Sequence, residues 1–369
     1  MDTVIERRIE AVRRRLAEAP FDTLLVLTQE NRRYLSGFTG EDTHFDESAG
    51  CLFINGDHLL LATDSRYLTQ AEHEAPHFQI QCYKQSLVSS LPGILEQLGV
   101  RKLGLEAARL SLKDHRQMQE RIAAEGGSVE LVPWEGMVEG CRVTKDEGEI
   151  DAIRAALHLA ESVFQTVLGR LGPGMTEKEV AWAMEKEMRE RGAQSLAFPT
   201  IVAGGPHSAM PHAVPTDRPI RSGEPLLFDW GARLDGYCSD ISRTVAPGNG
   251  DGTFRMVLET VREAQQRAID AIRPGKSTQE IDGVARAHIA ARGFGERFGH
   301  GLGHGVGLAV HEDPRVSPVK PSVLEVGMVF TVEPGIYLPG WGGVRLENLV
   351  VVREHGAEVL NGLESVLVV

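Results

Sequence analysis

The sequence predicts a two-domain α+β protein. A smaller α/β domain is expected over residues 1–135, a linker over 136–149, and a pseudo-twofold α+β domain over 150–369. Three observations carry this. At 369 residues the chain exceeds the size at which one hydrophobic core usually keeps growing. Its first third alternates short β-rich runs with helical ones. Its second part repeats a set of helix-boundary signals at a constant offset of 101 residues.

The N-terminus, MDTVIERRIEAVRRRLAEAPFDTLLVL, reads as a charged helix leading into a strand over 22–28. It lacks the apolar centre and cleavage site of a signal peptide. Residues 51–54 and 58–63 (CLFI, HLLLAT) alternate around Asn55-Gly56-Asp57, the signature of a hairpin. Helices are expected near 85–98 and 110–124, with short strands near 103–105 and 129–132. A long helix from Glu147 to about Leu171 opens the second domain.

In that domain LGPGMTEKEV (171–180) ends one helix and starts another, with Thr176 and Glu179 spaced as a capping box. IRPGKSTQEI (272–281) does the same with Ser277 and Glu280. Pro173-Gly174 and Pro274-Gly275 are 101 residues apart, as are Arg191-Gly192 and Arg292-Gly293. Two such units, each followed by β-rich sequence, predict a duplicated fold with a curved sheet from both halves at its centre.

The formal charge of −13 argues against a nucleic-acid partner, which would select a basic face. No stretch approaches the length of uninterrupted apolar residues that a membrane helix needs. Cys51, Cys82, Cys141 and Cys238 form no CxxC pair and read as reduced thiols, so the expected compartment is the cytoplasm.

Five side chains of the last third have metal-ligand chemistry: Asp229, Asp240, His304, Glu333 and Glu347. LLFDW places Asp229 inside an apolar strand, where an unpartnered charge is costly. Read as two antiparallel strands joined through Arg233–Asp235, the following segment brings Asp240 beside it. His304 lies in HGLGHGVGLAVHE, whose alternating glycines remove bulk around His300, His304 and His311. Glu333 ends the apolar run MVFTVE before Pro334-Gly335. Arg345 and Glu347 alternate with apolar neighbours and project to one face. Four carboxylates around one imidazole repel each other unless cations neutralise them. Two divalent ions do so and supply a hydroxide nucleophile, which points to a hydrolase. Oxygen donors with one imidazole and no thiolate fit Mn²⁺, Co²⁺, Fe²⁺ or catalytic Zn²⁺.

These strings resemble the methionine aminopeptidase/prolidase superfamily, the "pita-bread" metallopeptidases of family M24, in the Xaa-Pro aminopeptidase and Xaa-Pro dipeptidase branch. NRRYLSGF (31–38), Thr63-Asp64 and Arg66-Tyr67 are similar to strings of that branch's creatinase-like N-terminal domain, and FPTIVAGGPHSAMPH (198–212) to the run before the first metal ligand. The resemblance implies that Asp229 binds one ion, often with both oxygens. It implies that Asp240 and Glu347 bridge the pair, and that His304 and Glu333 complete the second site. It implies substrate contacts for His212, His300, His311 and Arg345, with His212, His311, Glu333 and Arg345 in the chemistry. Manganese is the first choice of metal, and a homodimer is expected. The implied substrate is a peptide or dipeptide with proline after the first residue. An Xaa-Pro aminopeptidase is the leading reading and an Xaa-Pro dipeptidase the alternative. A relative with the fold but other or no chemistry stands behind both. Two features depart from the branch: His207 stands where an asparagine is usual, and residues 41–47 form an acidic insert read as a solvated loop or as an arm to a neighbouring subunit's cleft.

Overall fold

The computed structural model describes residues 3–42, 44, 47–172, 174–248 and 250–365. Pro173 of the first Pro-Gly pair, and Thr43, Phe45 and Asp46 of the acidic segment, lie outside the described residues. The chain divides into two compact units, one ending at Cys141 and the other beginning at Arg142.

In the first unit, helix α1 (Thr3–Ala17) leads into β1 (Thr23–Val26) and α2 (Gln29–Ser36). The hairpin β2 (Cys51–Ile54) and β3 (Leu59–Thr63) follows, then α3 (Leu68–Glu74), β4 (Gln79–Cys82), α4 (Leu87–Gln97), β5 (Lys102–Glu106), α5 (Leu112–Ala124) and β6 (Glu130–Trp134). The six strands form one mixed sheet in the order β4-β3-β2-β1-β5-β6. The hairpin forms because the Asn55 side-chain oxygen accepts the N–H groups of Asp57 (3.0 Å) and His58 (2.7 Å). Leu25, Phe53, Leu60, Ile94 and Leu103 are buried together beneath the helices. The NRRYLSGF string does structural duty here. Asn31 donates to Glu106 at the end of β5, and the fully buried Arg32 is held by both oxygens of Asp42.

A short helix, α6 (Glu139–Arg142), precedes the long α7 (Glu147–Leu168) of the second unit. Its first half continues with α8 (Glu177–Glu190), β7 (Ser195–Leu196), β8 (Ile201–Gly204), β9 (Leu226–Trp230), β10 (Ala232–Leu234), β11 (Tyr237–Cys238) and β12 (Ile241–Val245). The second half has α9 (Gly252–Ala271), α10 (Thr278–Ala291), β13 (Gly303–Gly305), β14 (Glu312–Val316), β15 (Val329–Val332), β16 (Gly335–Leu338), β17 (Gly342–Arg345), β18 (Asn348–Arg353) and β19 (Gly356–Val359).

The repeat read from the sequence is present in the backbone. α8 and α10 each have 14 residues, both open on a complete capping box, and both are followed by a left-handed glycine, Gly192 (φ 97°) or Gly293 (φ 86°). Each half has its own apolar core. Phe164 stacks on Trp230 at 4.4 Å in the first, and Phe330 packs with Ile281 and Val350 in the second.

Two expectations are corrected. The turn between the aspartates falls at Asp235-Gly236, where both residues have positive φ (47° and 80°), so Arg233 and Leu234 remain paired in β10. The central sheet is also divided into β8–β9–β12 in one half and a five-stranded sheet in the other. Bonds outside a regular ladder join the halves, among them Glu347 N–H to Ser242 O (3.0 Å) and Arg345 N–H to Thr244 Oγ1 (3.1 Å).

Because the matched caps lie in separate halves, Thr176→Ala and Ser277→Ala should each lower unfolding free energy by about 1 kcal/mol. The double variant should lose their sum in urea titration.

Candidate metal centre

β9 and β12 pair antiparallel with Asp229 opposite Ser242, which sets Asp240 at the mouth of β12 beside the Asp229 strand. His304 lies in β13 between two glycines that backbone crowding requires. A Cβ on Gly303 would stand 1.9 Å from Thr331 O, and one on Gly305 2.2 Å from Asp313 O. The glycine-rich string therefore lets β14 and β15 close on the imidazole from both sides. Glu333 directly follows β15, and Glu347 directly precedes β18, the strand paired antiparallel with β15.

These placements bring all five predicted ligands to one cavity of about 580 Å³, together with His212, His300, His311 and Arg345. Asp240, His304 and Glu347 offer ligand atoms within 4.8 Å of one another. Glu333 joins them through His304, whose Nε2 is 3.3 Å from Glu333 Oε1 and 3.5 Å from Asp240 Oδ2. Asp229 stands at the other side, with Oδ2 accepting from Arg345 Nη2 at 2.5 Å. Asp229 Oδ2 is thus held by the guanidinium, while Oδ1 has no protein partner among the described residues.

The donor set fits a divalent cation on two independent grounds. Asp229 Oδ1 and Glu347 Oε1 are buried carboxylate oxygens with no protein partner among the described residues. His304 Nδ1 is 3.2 Å from the Gly305 carbonyl and must donate to it, leaving the Nε2 lone pair facing the carboxylates. Electrostatics agree. Burial first, then the charges of Glu347 and Asp229, hold Asp240 well above the ordinary carboxylate range. Glu347 is raised in the same direction by burial, Glu333 and Asp229. Burial pushes Glu333 up to about 7, against the pull of Arg345. Burial likewise depresses His304 to about 3, keeping its imidazole neutral.

Several residues that sequence reading missed order this centre. Ser242 Oγ donates to Glu347 Oε2 (2.9 Å) and accepts from Arg345 Nε (2.8 Å). Thr331 Oγ1 donates to Glu333 Oε1 (2.9 Å) and receives the His304 N–H (3.0 Å). Tyr337 OH accepts from Arg345 Nη1 (2.8 Å) and donates to His300 Nε2 (3.0 Å), whose Nδ1–H goes to Gly301 O (2.8 Å). Arg345 also reaches Pro211 O (3.2 Å), the residue before His212. The period of two from Asp240 through Ser242 to Thr244 was the available signal for Ser242. His207 is not at the cavity. Its Nδ1 lies 2.9 Å from both oxygens of the buried Glu177, which also receive the N–H groups of Gly204 and Thr216. The unusual histidine thus fastens the loop that carries His212 to the start of α8.

The fold and this centre define an enzyme of the metallopeptidase class. Residues 151–354 match Metallopeptidase family M24 and residues 8–144 the Creatinase/Prolidase N-terminal domain. The chain belongs to family M24, in its Xaa-Pro aminopeptidase and dipeptidase branch with a pita-bread catalytic domain. The structure is similar to that of an Xaa-Pro dipeptidase from Bacillus anthracis, with 36% identity, 99% of each chain covered and a TM-score of 0.93. It is also similar to an X-Pro aminopeptidase from Thermotoga maritima, with 37% identity over 96% of this chain and 100% of that chain, and a TM-score of 0.87. In sequence it is 33% identical to an Xaa-Pro dipeptidase from Pyrococcus furiosus, over 98% of this chain and 100% of the relative. No described helix is long and apolar enough to cross a membrane.

A carboxyl group whose pKa is raised keeps its proton to higher pH, and a cation must displace that proton. Mn²⁺ affinity should therefore rise with pH up to and through about 7, where Glu333 titrates, with proton release seen by calorimetry in buffers of different ionisation enthalpy. Ser242→Ala should weaken that binding by roughly 10–100-fold, since it frees Glu347 and Arg345 together.

Proposed function

We propose that the enzyme is an Xaa-Pro dipeptidase, the reading the sequence placed second, rather than an aminopeptidase. Two of the three relatives described above are Xaa-Pro dipeptidases and one is an X-Pro aminopeptidase. The observation that carries the choice is the place of Arg315. It is the cross-strand partner of His304 and lines the same cavity, with Lys320 beside it. Directly opposed residues lie about 5 Å apart at Cα, so a cation stands roughly one residue from the hydrolytic centre. A free proline carboxylate needs a cation at that distance. A longer peptide has a neutral amide there.

In this reading Asp229, Asp240, His304, Glu333 and Glu347 hold two ions, manganese first among manganese, cobalt, zinc and iron. Bound ions lower the pKa of water and polarise the carbonyl. The protein's own groups do the rest. Glu333 takes the proton of the attacking water and returns it to the proline nitrogen as the C–N bond breaks. His311, kept neutral by burial and the nearby Arg315 charge, donates an N–H to the carbonyl oxygen as negative charge develops. His212 lines the leaving-group side, and Arg345 fixes Asp229. The proline nitrogen has no hydrogen, so a site that asks for none admits it. A homodimer, implied by the resemblance to the branch, and a cytoplasmic compartment, read from the reduced cysteines, complete the proposal.

Ala-Pro should be hydrolysed and Ala-Pro-Ala left largely intact by the metal-loaded enzyme. Faster cleavage of the tripeptide would restore the aminopeptidase reading. Arg315→Ala should raise KM for Ala-Pro by on the order of 10-fold or more with a smaller change in kcat, as expected for a lost charge-assisted contact. Glu333→Gln should abolish turnover; full activity in that variant would remove the proton-transfer role.

A further inference from the structure

His311 sits on a segment with little ladder support. The β13–β14 register shifts between His304 and Gly305, leaving Asp313 and Pro314 extra on β14, and residues 306–311 form the loop that spans the gap from Gly305 to its partner Glu312. The ring of His311 meets that of His304 edge-on, with centroids 4.4 Å apart, so a small shift of this segment moves the imidazole against the metal centre.

What closes the gap is the carboxylate of Glu312, whose side chain is only 7% exposed. Oε1 accepts the Ala309 N–H at 2.9 Å, tying the loop back on itself. The same oxygen is paired with the Arg142 guanidinium, and Oε2 is 3.2 Å from the Lys145 ammonium. Arg142 and Lys145 are themselves 6% and 1% exposed at the side chain. Gly307 packs on this carboxylate so closely that a Cβ there would stand 2.7 Å from Oε2.

The two cations are anchored independently of the loop. Lys145 N–H donates to Gly327 O at 2.9 Å and Thr144 bridges Met328, just ahead of β15. Directly after Lys145, Asp146 caps α7 in a capping box with Glu149, and Glu149 accepts the Tyr237 hydroxyl at 3.0 Å. The next residue, Cys238, gives its N–H to Gly307 O at 2.8 Å, at the near end of the same loop. The segment Arg142-Val143-Thr144-Lys145-Asp146-Glu147-Gly148-Glu149 thus reaches the loop at both ends, through Glu312 at one and Tyr237–Cys238 at the other.

Apolar side chains of equal volume would fill this space at no loss of stability, since desolvating three charges costs as much as their pairing returns. What the ionic cluster adds is a fixed position. We propose that Glu312 is a positioning residue for His311, clamped by Arg142 and Lys145. The inference rests on the proposed substrate contact of His311 and deepens it: the geometry of that contact is set from the first residues of the second unit, far from the reacting atoms in sequence.

The test is a double-mutant cycle on the full-length, Mn²⁺-loaded enzyme with Ala-Pro as substrate, comparing Glu312→Gln, His311→Ala and the pair. Glu312→Asp, which keeps the charge but shortens its reach, is included because the glutamine variant removes the negative charge that two buried cations face. Glu312→Asp and any folded Glu312→Gln should lose on the order of 10²-fold in kcat/KM, mostly in kcat, with metal stoichiometry kept. In the His311→Ala background the further loss should be under about 3-fold, because the effect has no other route. Losses that multiply would overturn the clamp and leave the His311 contact standing. Wild-type activity in His311→Ala would instead reject the contact, and the clamp's purpose with it. Failure of both Glu312 variants to fold, or a drop in Tm with kcat/KM unchanged, would reduce the cluster to a structural role and sink the proposal.

Discussion

Asp240, Glu333 and Glu347 are buried, and the charge of Asp229 makes each of the three harder still to ionise. Such crowding is tolerable only with positive charge nearby, and the protein itself supplies the buried guanidinium of Arg345. Four of its N–H groups go to Asp229, Ser242, Tyr337 and the Pro211 carbonyl. A lysine would offer a point charge without this planar fork and would leave part of the set unpaired. The orientation of the centre follows from that one side chain, because Ser242 and Tyr337 pass its constraint on to Glu347 and His300.

Backbone proximity is the second requirement. The strands carrying the ligands approach so closely at Gly303, Gly305 and Gly231 that a methyl group at any of the three would overlap a carbonyl oxygen. The glycines make a pocket whose walls are main chain, so its dimensions are set by ladder geometry and turn placement more than by side-chain packing. The cis peptide at Asp313-Pro314 and the bulge beside His304 belong to the same region, where regular pairing gives way to functional shape.

Much of this was legible in the sequence because the relevant signals are local. A carboxylate at the end of an apolar strand is conspicuous without knowledge of what it faces, as at Asp229 and Glu333. The two capping boxes and their glycines declared the repeat, since a helix terminus is decided within a few residues. What escaped reading depends on partners remote in the chain. His207 finds Glu177 thirty positions earlier, Ser242 finds Glu347 more than a hundred later, and Glu312 finds two cations from the start of the unit. None of these pairs has a spacing rule. The turn between the aspartates was misplaced by a residue or two because Asp235 adopts a left-handed conformation that its type permits but does not announce. The sheet was expected whole because hydrophobic pattern reports which face is buried, not where the hydrogen-bond ladder stops.

The division of the ligands between the halves has a consequence for the lifetime of the protein. Asp229 and Asp240 come from the first half of the repeat, while His304, Glu333 and Glu347 come from the second. A cation held by both sets is a removable cross-link between two cores, and it binds only when both are folded. At a free concentration 100 times its Kd, a ligand of the folded state alone adds about 2.7 kcal/mol of stability. A centre that draws on both halves would therefore tie the stability of the chain to the supply of its ion.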